Sequence, residues 1–94
     1  MRPIRMEPGA ESLITYPSEF PIKVMGANVQ DFAQTIAELV REHDPAFDAQ
    51  RMEHRPSKAG NYLGLTVIVN ATSREQLDRL YLALTSHPMV KVVL

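Results

Sequence analysis

The stretch Tyr62–Ala71, YLGLTVIVNA, decides the fold, because its apolar residues alternate with a period of two. One set of alternate positions is purely aliphatic: Leu63, Leu65, Val67 and Val69. The other set is mixed: Tyr62, Gly64, Thr66, Ile68 and Asn70. This pattern is typical of a strand with one face buried and the other turned outwards. We therefore expect a strand here whose aliphatic set faces a core.

Weaker versions of the same pattern lie on either side of this strand. FPIKVMG, at Phe20–Gly26, alternates with Pro21 near its start, where a missing N–H is tolerated. The terminal MVKVVL, at Met89–Leu94, alternates as well. Residues 47–55 are polar and poorly periodic, and we interpret them as an edge strand with Phe47 and Met52 turned inwards.

Two segments carry apolar residues at the spacing of three and four that is typical of a helix with one buried stripe. The first stripe comprises Val29, Phe32, Ala33, Ile36, Ala37 and Val40. The second comprises Leu77, Leu80, Tyr81 and Leu84. Asn28 is expected to cap the first helix, which should end near His43 because Asp44 precedes a proline. A capping box at Thr72 or Ser73 predicts the start of the second.

The predicted order is β-α-β-β-α-β. Two helices with one apolar stripe each must cover one face of a sheet, and right-handed crossovers place the first and third strands at its centre. We therefore predict an α+β, ferredoxin-like two-layer sandwich, with a four-stranded antiparallel sheet and both helices on one face. Residues 13–94 form this single domain. Residues 1–12, with two prolines and a glycine, are predicted to be a flexible N-terminal tail.

Composition excludes several classes of function. The 94 residues carry a net charge of −1, so no excess of positive charge draws the chain to nucleic acid or anionic lipid. There is no cysteine, which excludes disulfides and thiolate chemistry. No apolar run is long enough to span a membrane, and none follows the N-terminal arginines as in a signal peptide. We expect a cytoplasmic protein that binds neither nucleic acid nor membrane.

Four segments resemble the YbeD-like family of small bacterial proteins: FPIKVMG, the turn SKAGNY, the strand ending in VNAT, and the terminal VKVVL. The resemblance covers residues 13–94, with a loose match over residues 46–53. It implies a ferredoxin-like fold similar to ACT-type regulatory domains in the bacterial cytosol. It also implies a family without an assigned activity, linked by gene neighbourhood to lipoate metabolism.

Residues suited to catalysis do not cluster. His43 and His87 follow predicted helix ends, where an imidazole interacts well with free carbonyls, and His54 lies on a polar segment. None has a second ligand at metal-binding spacing, and no serine lies in a strand–turn–helix elbow. We therefore expect a non-enzymatic regulatory or interaction module without a metal or a cofactor.

Two surfaces are candidates for binding. The junction at Met25, Gly26 and Asn28 places a glycine between a strand and a helix, and ACT-type domains bind amino acids near such a place, so a small acid is the expected ligand. The sheet face opposite the helices is the principal candidate and the junction the alternative, with a homodimer or another protein as the expected partner of the face. Alternation predicts that this face carries Lys23, Met25, Tyr62, Thr66, Ile68, Met89, Lys91 and Val93.

Overall fold

The computed structural model describes residues 15–94. The predicted tail at residues 1–12, and the first two residues of the predicted domain, lie outside this range. The elements are β1 (Ser18–Ala27), α1 (Phe32–His43), a short 3₁₀ helix (Ala49–Arg51), β2 (Glu53–Pro56), β3 (Tyr62–Ala71), α2 (Arg74–Ser86) and β4 (Val90–Val93). The strands form one antiparallel sheet in the order β2-β3-β1-β4. The ferredoxin-like βαββαβ sandwich, with β1 and β3 central, is confirmed.

The core lies between the two helices and one face of the sheet. Its strand residues are the alternate aliphatic positions that the sequence predicts. Ile22 and Val24 of β1 lie beside Val67 and Leu65 of β3, and Val69 lies further along the same face. The helices contribute the predicted stripes, which include Phe32, Ile36, Val40, Leu77, Leu80 and Leu84. Burial of each such side chain stabilises the fold by about 1.5–3 kcal/mol before chain entropy is counted.

Helix α1 begins later than the sequence predicts. Its N-cap is Asp31, whose side chain makes no capping hydrogen bond, and Val29 is exposed rather than part of the buried stripe. The predicted cap, Asn28, instead binds the turn between β2 and β3. Its backbone N–H donates to the Asn61 carbonyl at 2.9 Å and its side-chain amide donates to the Gly60 carbonyl at 3.0 Å. Asn28 therefore joins the end of β1 to the start of β3, and the capping prediction is wrong.

The edge strand is shorter than predicted. Residues 47–52 form no strand and contain the 3₁₀ helix instead, since the Asp48 carboxylate accepts a hydrogen bond from the Gln50 N–H at 2.9 Å and so bends the chain locally. The strand itself is Glu53–Pro56, and it lies at the sheet edge as predicted. Phe47 and Met52 are buried as predicted.

The outer side of β3 extends beyond its neighbour β2, which pairs only with Leu63–Thr66. Two side chains take the place of the missing strand at Asn70. The buried carboxylate of Asp44 accepts from the Asn70 N–H at 2.8 Å and from the Ala46 N–H at 3.1 Å. The Gln76 amide donates to the Asn70 carbonyl at 3.2 Å. Helix ends thereby satisfy backbone groups that would otherwise lack partners.

Gln76 also joins the two helices. Its amide nitrogen donates to the His43 carbonyl at the end of α1, at 2.9 Å, and its oxygen accepts from the Thr72 N–H at 2.7 Å. The capping residue of α2 is Ser73, whose hydroxyl accepts from the Gln76 N–H at 3.1 Å. Of the two predicted caps, Ser73 with Gln76 is the one that forms.

Pro21 lies within β1 without disturbing the ladder. Lys23, two residues later, exchanges both backbone hydrogen bonds with Leu94, at 3.1 and 2.8 Å, on the side of β4. Backbone groups two residues apart in a strand point to the same side, so the nitrogen of Pro21 also points towards the β4 side of β1. At Pro21, however, β4 (Val90–Val93) does not extend far enough to pair with β1. No ladder bond is lost.

Candidate interaction face

The side of the sheet away from the helices is uncovered by any described element, and we call it the open face. Cross-strand register defines its residues, because residues directly opposite in an antiparallel pair share a face. The open face comprises Pro21, Lys23, Met25 and Ala27 of β1, Tyr62, Gly64, Thr66 and Ile68 of β3, Glu53 and Arg55 of β2, Val92 of β4, and Leu94, which follows β4 and lies opposite Lys23.

Two rows of residues cross the centre of this face. In one, Glu53, Thr66 and Lys23 lie side by side on β2, β3 and β1. In the other, Arg55, Gly64 and Met25 lie side by side and Val92 continues the row on β4. Neighbouring strands are about 4.8 Å apart, so each row is a line of adjacent side chains. The second row has a gap at Gly64.

Gly64 leaves a trough at the middle of the open face. The trough forms part of a groove of about 720 Å³, whose walls include Met25, Tyr62 and Val92. These three side chains are exposed by 42, 47 and 44%. Apolar groups of this size are therefore presented around a position that has no side chain.

The fold does not require glycine at position 64. Among residues 15–94, a Cβ atom built there would meet only the Arg55 carbonyl oxygen, at the ordinary contact distance of 3.5 Å. The left-handed backbone that favours glycine occurs instead at Gly60, in the turn before β3, with φ of 82°. Glycine inside a strand costs about 0.5–1 kcal/mol relative to alanine, and it often marks close approach by another backbone or a ligand.

The predicted contribution of the last strand to the open face is wrong. The ladder shifts register at Met25/Gly26, so Val90 lies opposite Gly26 and Val92 lies opposite Met25. Val93 lies opposite Val24 and packs against the core, as does Met89 before the strand. Lys91 has no partner in this ladder and falls at the irregularity. Val92 is thus the open-face residue of β4, in place of Met89 and Val93, while the position of Lys91 on this face stays a prediction.

The shift has a visible cause at Gly26. A Cβ atom there would overlap the Met89 carbonyl oxygen and lie 2.7 Å from the Phe32 ring. The chain before β4 therefore presses directly against the β1 backbone at Gly26. Alternation in MVKVVL cannot reveal this, because the contact is made with a residue on a distant strand.

The other predicted site, at Met25, Gly26 and Asn28, is not brought together. Met25 lies on the open face, Gly26 is enclosed by Met89 and Phe32, and Asn28 is bonded to Gly60 and Asn61. Since α1 begins at Phe32, its N-terminus does not follow Gly26 directly. Binding of a small acid at this junction stays a prediction.

Charged groups on the open face are unpaired, in contrast to those at its margin. Lys23, Glu53 and Arg55 make no ion pair with any residue in 15–94. At the margin, the two terminal guanidinium nitrogens of Arg51, Nη1 and Nη2, donate to the Glu19 carboxylate, at 2.7 and 3.1 Å. This contact lowers the pKa of Glu19, first through the hydrogen bonds and then through the positive charge of Arg51.

The histidines have separate, local contacts. A ring nitrogen of His43 lies 3.0 Å from the Leu39 carbonyl oxygen, and a ring nitrogen of His87 accepts from the Met89 N–H at 3.1 Å. His54 is exposed on β2. Among residues 15–94, no group of three histidine, aspartate or glutamate side chains could hold a metal ion. Nor is any helix in that range long and apolar enough to cross a membrane.

Residues 11–94 match a protein family described as "Protein of unknown function (DUF493)". The chain belongs to this family. Relatives in the family are UPF0250 proteins of bacteria, which confirms the resemblance to the YbeD-like proteins. One from Ralstonia nicotianae is 71% identical over 93% of this chain and 90% of its own length. One from Bordetella parapertussis is 64% identical over 93% of this chain and 96% of its own length.

A solved structure of similar fold is the solution structure of protein HP0495 from H. pylori. The two structures superpose with a TM-score of 0.71, covering 86% of this chain and 85% of the other, at 18% sequence identity. The likeness supports the ferredoxin-like fold. The family description and the names of the relatives mention no reaction.

Proposed function

We propose that this domain is a non-enzymatic interaction module that associates with a second copy of itself through the open face. The observation that carries the proposal is Gly64, a glycine that the fold does not require, at the centre of a face with exposed Met25, Tyr62 and Val92. Exposed apolar patches on small proteins often mark association sites.

The charges of the open face favour a second copy over a strongly acidic or basic partner. Lys23 and Arg55 are positive, Glu53 is negative, and all three lie within two neighbouring rows. A partner of one sign would meet repulsion from part of this set. A second copy presents the same mixture, and a symmetric interface can set opposite signs against each other.

The size of the face predicts weak association. Four strands about 4.8 Å apart, over roughly six residues at about 3.3 Å each, give a plan area on the order of 400 Å². A stable interface buries about 800 Å² of accessible surface on each partner. We therefore expect a dimer that depends on concentration, as suits a regulatory contact that must form and dissociate.

The cellular role rests on the resemblance stated above. The module would act in the bacterial cytosol and carry out no reaction itself. Any part in lipoate metabolism would be exerted through the proteins that the dimer contacts.

Sedimentation over a range of protein concentrations tests the proposal. We expect the parent to associate and Ile68→Glu to shift it towards monomer, since the change places a charge on the open face opposite Pro21. The matched control is Leu82→Glu on α2, which is 67% exposed on the helix layer. A parent that stays monomeric at high concentration would refute self-association.

The ACT-like alternative, a sensor of amino acids or short acids at Met25, Gly26 and Asn28, makes a different prediction. Binding to the folded state alone would raise the melting temperature in the presence of millimolar ligand. A thermal-shift screen over such compounds separates the two functions, because self-association predicts no effect of these ligands.

A further inference from the structure

We infer that the two copies stack with their twofold axis parallel to the strands and midway between β1 and β3, so that Met25 of each copy enters the trough over Gly64 of the other. The inference rests on the proposed self-association and adds its geometry. It follows from how large and small residues are arranged on the two central strands.

Two neighbouring cross-strand pairs each join one large and one small residue. Met25 lies opposite Gly64, and Ala27 lies opposite Tyr62. The large residue is therefore on β1 in the first pair and on β3 in the second. Over these two pairs each central strand alternates large and small along the open face, in opposite phase to its neighbour.

Consider two sheets stacked face to face and related by a twofold axis that runs parallel to the strands. Rotation about this axis reverses the order of the strands across the sheet, but it does not move any residue along the strand direction. With the axis midway between β1 and β3, β1 of one copy lies over β3 of the other. Met25 then faces Gly64, and Tyr62 faces Ala27, twice each. Large and small residues become complementary at every one of these positions, as close packing requires.

Other positions of an axis parallel to the strands do not achieve this, and an axis across the strands at Gly26 would lie one residue from the end of β1 and overlap little of the sheet. An axis along β3 sets Tyr62 against Tyr62 and Gly64 against Gly64, and an axis along β1 sets Met25 against Met25. Each leaves either a clash or a void at the centre of the face. The midway axis also superposes all four strands, which gives the largest contact area that this sheet allows.

The inclination between stacked sheets is compatible with the pairing. Aligned sheets pack with their strands inclined by about 30°, which displaces residues least near the centre of contact. Met25 and Gly64 lie in the middle of the four-stranded part of the sheet, where both β2 and β4 are paired. Methionine suits the position, because its flexible thioether adapts to an irregular cavity.

Charges agree with the same axis. Thr66 is flanked by Lys23 on one side and Glu53 on the other. In the stacked dimer, Lys23 lies over Thr66 of the second copy, one strand away from that copy's Glu53. The two positions are offset by about 4.8 Å across the sheet and by the spacing of about 10 Å between stacked sheets, a distance that a lysine and a glutamate side chain pointing towards each other can span. Two unpaired charges of each copy thereby gain a partner of opposite sign.

The test uses two single variants that disturb opposite halves of the contact. Gly64→Val fills the trough, and Met25→Ala removes the side chain that enters it. Each variant alone should associate more weakly than the parent. When mixed, the two variants should form a heterodimer with two contacts. In one, the larger residue at position 64 of the first variant meets the smaller residue at position 25 of the second. In the other, Met25 of the first variant meets Gly64 of the second, as in the parent.

We expect the heterodimer to have a dissociation constant about tenfold below that of either variant alone, a ratio that corresponds to about 1.4 kcal/mol. Sedimentation of one fluorescently labelled variant, titrated with the other, measures this directly. Coupling within a chain cannot produce the effect, since each chain carries one change. A mixture no tighter than the better homodimer overturns the midway axis, whereas a parent that never associates overturns the proposed function itself.

Discussion

The buried carboxylate of Asp44, at the end of α1, accepts a hydrogen bond from the backbone N–H of Asn70, on β3, at 2.8 Å. The two residues are 26 positions apart in the chain. A side chain here replaces the backbone acceptor of a neighbouring strand. Its second oxygen holds the loop that follows, through the Ala46 N–H.

Asp44→Ala should lower the free energy of unfolding by about 1–3 kcal/mol, because two backbone N–H groups lose a buried charged acceptor. Urea denaturation measures the change. The matched control is Asp31→Ala, since Asp31 is exposed and its side chain makes no capping bond to α1. That variant should stay within about 0.5 kcal/mol of the parent. Equal effects of the two changes would contradict the role given to Asp44.

Val67→Asp should unfold the domain. Val67 is fully buried in the core, and an unpaired carboxylate there costs several kcal/mol, roughly the whole stability of a small domain. Circular dichroism in the far ultraviolet follows the loss of structure. Thr66→Asp, one residue away on the open face, should remain folded. A folded Val67→Asp with the parent's melting temperature would show that the core is wrongly assigned.

Alanine at the two strand glycines should act in opposite directions. Gly26→Ala is expected to destabilise by about 1–3 kcal/mol, because its methyl group would overlap the Met89 carbonyl and the Phe32 ring. Gly64→Ala should stabilise the monomer by about 0.5–1 kcal/mol, since the position has room and glycine is unfavourable in a strand. Thermal melting at low protein concentration gives both values. Destabilisation by Gly64→Ala would mean that the fold does require glycine there.

The pair of Glu19 and Arg51 predicts a dependence on pH and salt. Because Arg51 lowers the pKa of Glu19 from its ordinary value of 4.5, the folded state favours the ionised carboxylate. The stabilisation is therefore present above that value and is lost as the pH falls through the lowered pKa in the folded state. Both side chains are exposed, so the effect is small and declines with added salt.

Glu19→Gln should remove this dependence of stability on pH and salt. The parent should have the higher melting temperature at neutral pH, and we expect the difference to shrink on acidification below the ordinary pKa of glutamate. The difference should also shrink in high salt at neutral pH. Glu53→Gln is the control, since Glu53 has no ion pair within residues 15–94. A difference that is constant over pH would assign the effect of Glu19 to packing instead.

Periodic burial explains how much of the fold could be predicted from the sequence. Val67 and Val69 on β3, and Ile36 and Val40 on α1, repeat at the periods of the elements that bury them. The element order and the central strands follow from these repeats. The role of Asp44 has no such repeat to reveal it. A single aspartate before a proline does not indicate whether its side chain is exposed or accepts a hydrogen bond from a distant strand.

The open face was predictable only where the ladder is regular. Lys23, Met25, Tyr62, Thr66 and Ile68 lie on it as alternation predicts. On β4 the prediction fails, because the contact between the Met89 carbonyl and Gly26 displaces the register. The space at Gly64 could not be predicted from the sequence, because it depends on how the neighbouring strand β2 lies beside β3 in the folded sheet.

The blunted edges of the sheet limit how this molecule can polymerise. Pro21 has no N–H to offer an incoming strand beside β1, and the Asn70 backbone is already occupied by Asp44 and Gln76. At these two stretches the central strands cannot accept a further strand, whereas the outer sides of β2 and β4 have no strand partner among residues 15–94. Helices cover the far side of the sheet, so stacking has one surface available and ends after a single step. Association through the proposed open-face contact would therefore stop at two copies, and any longer assembly would have to grow through the outer edges of β2 and β4.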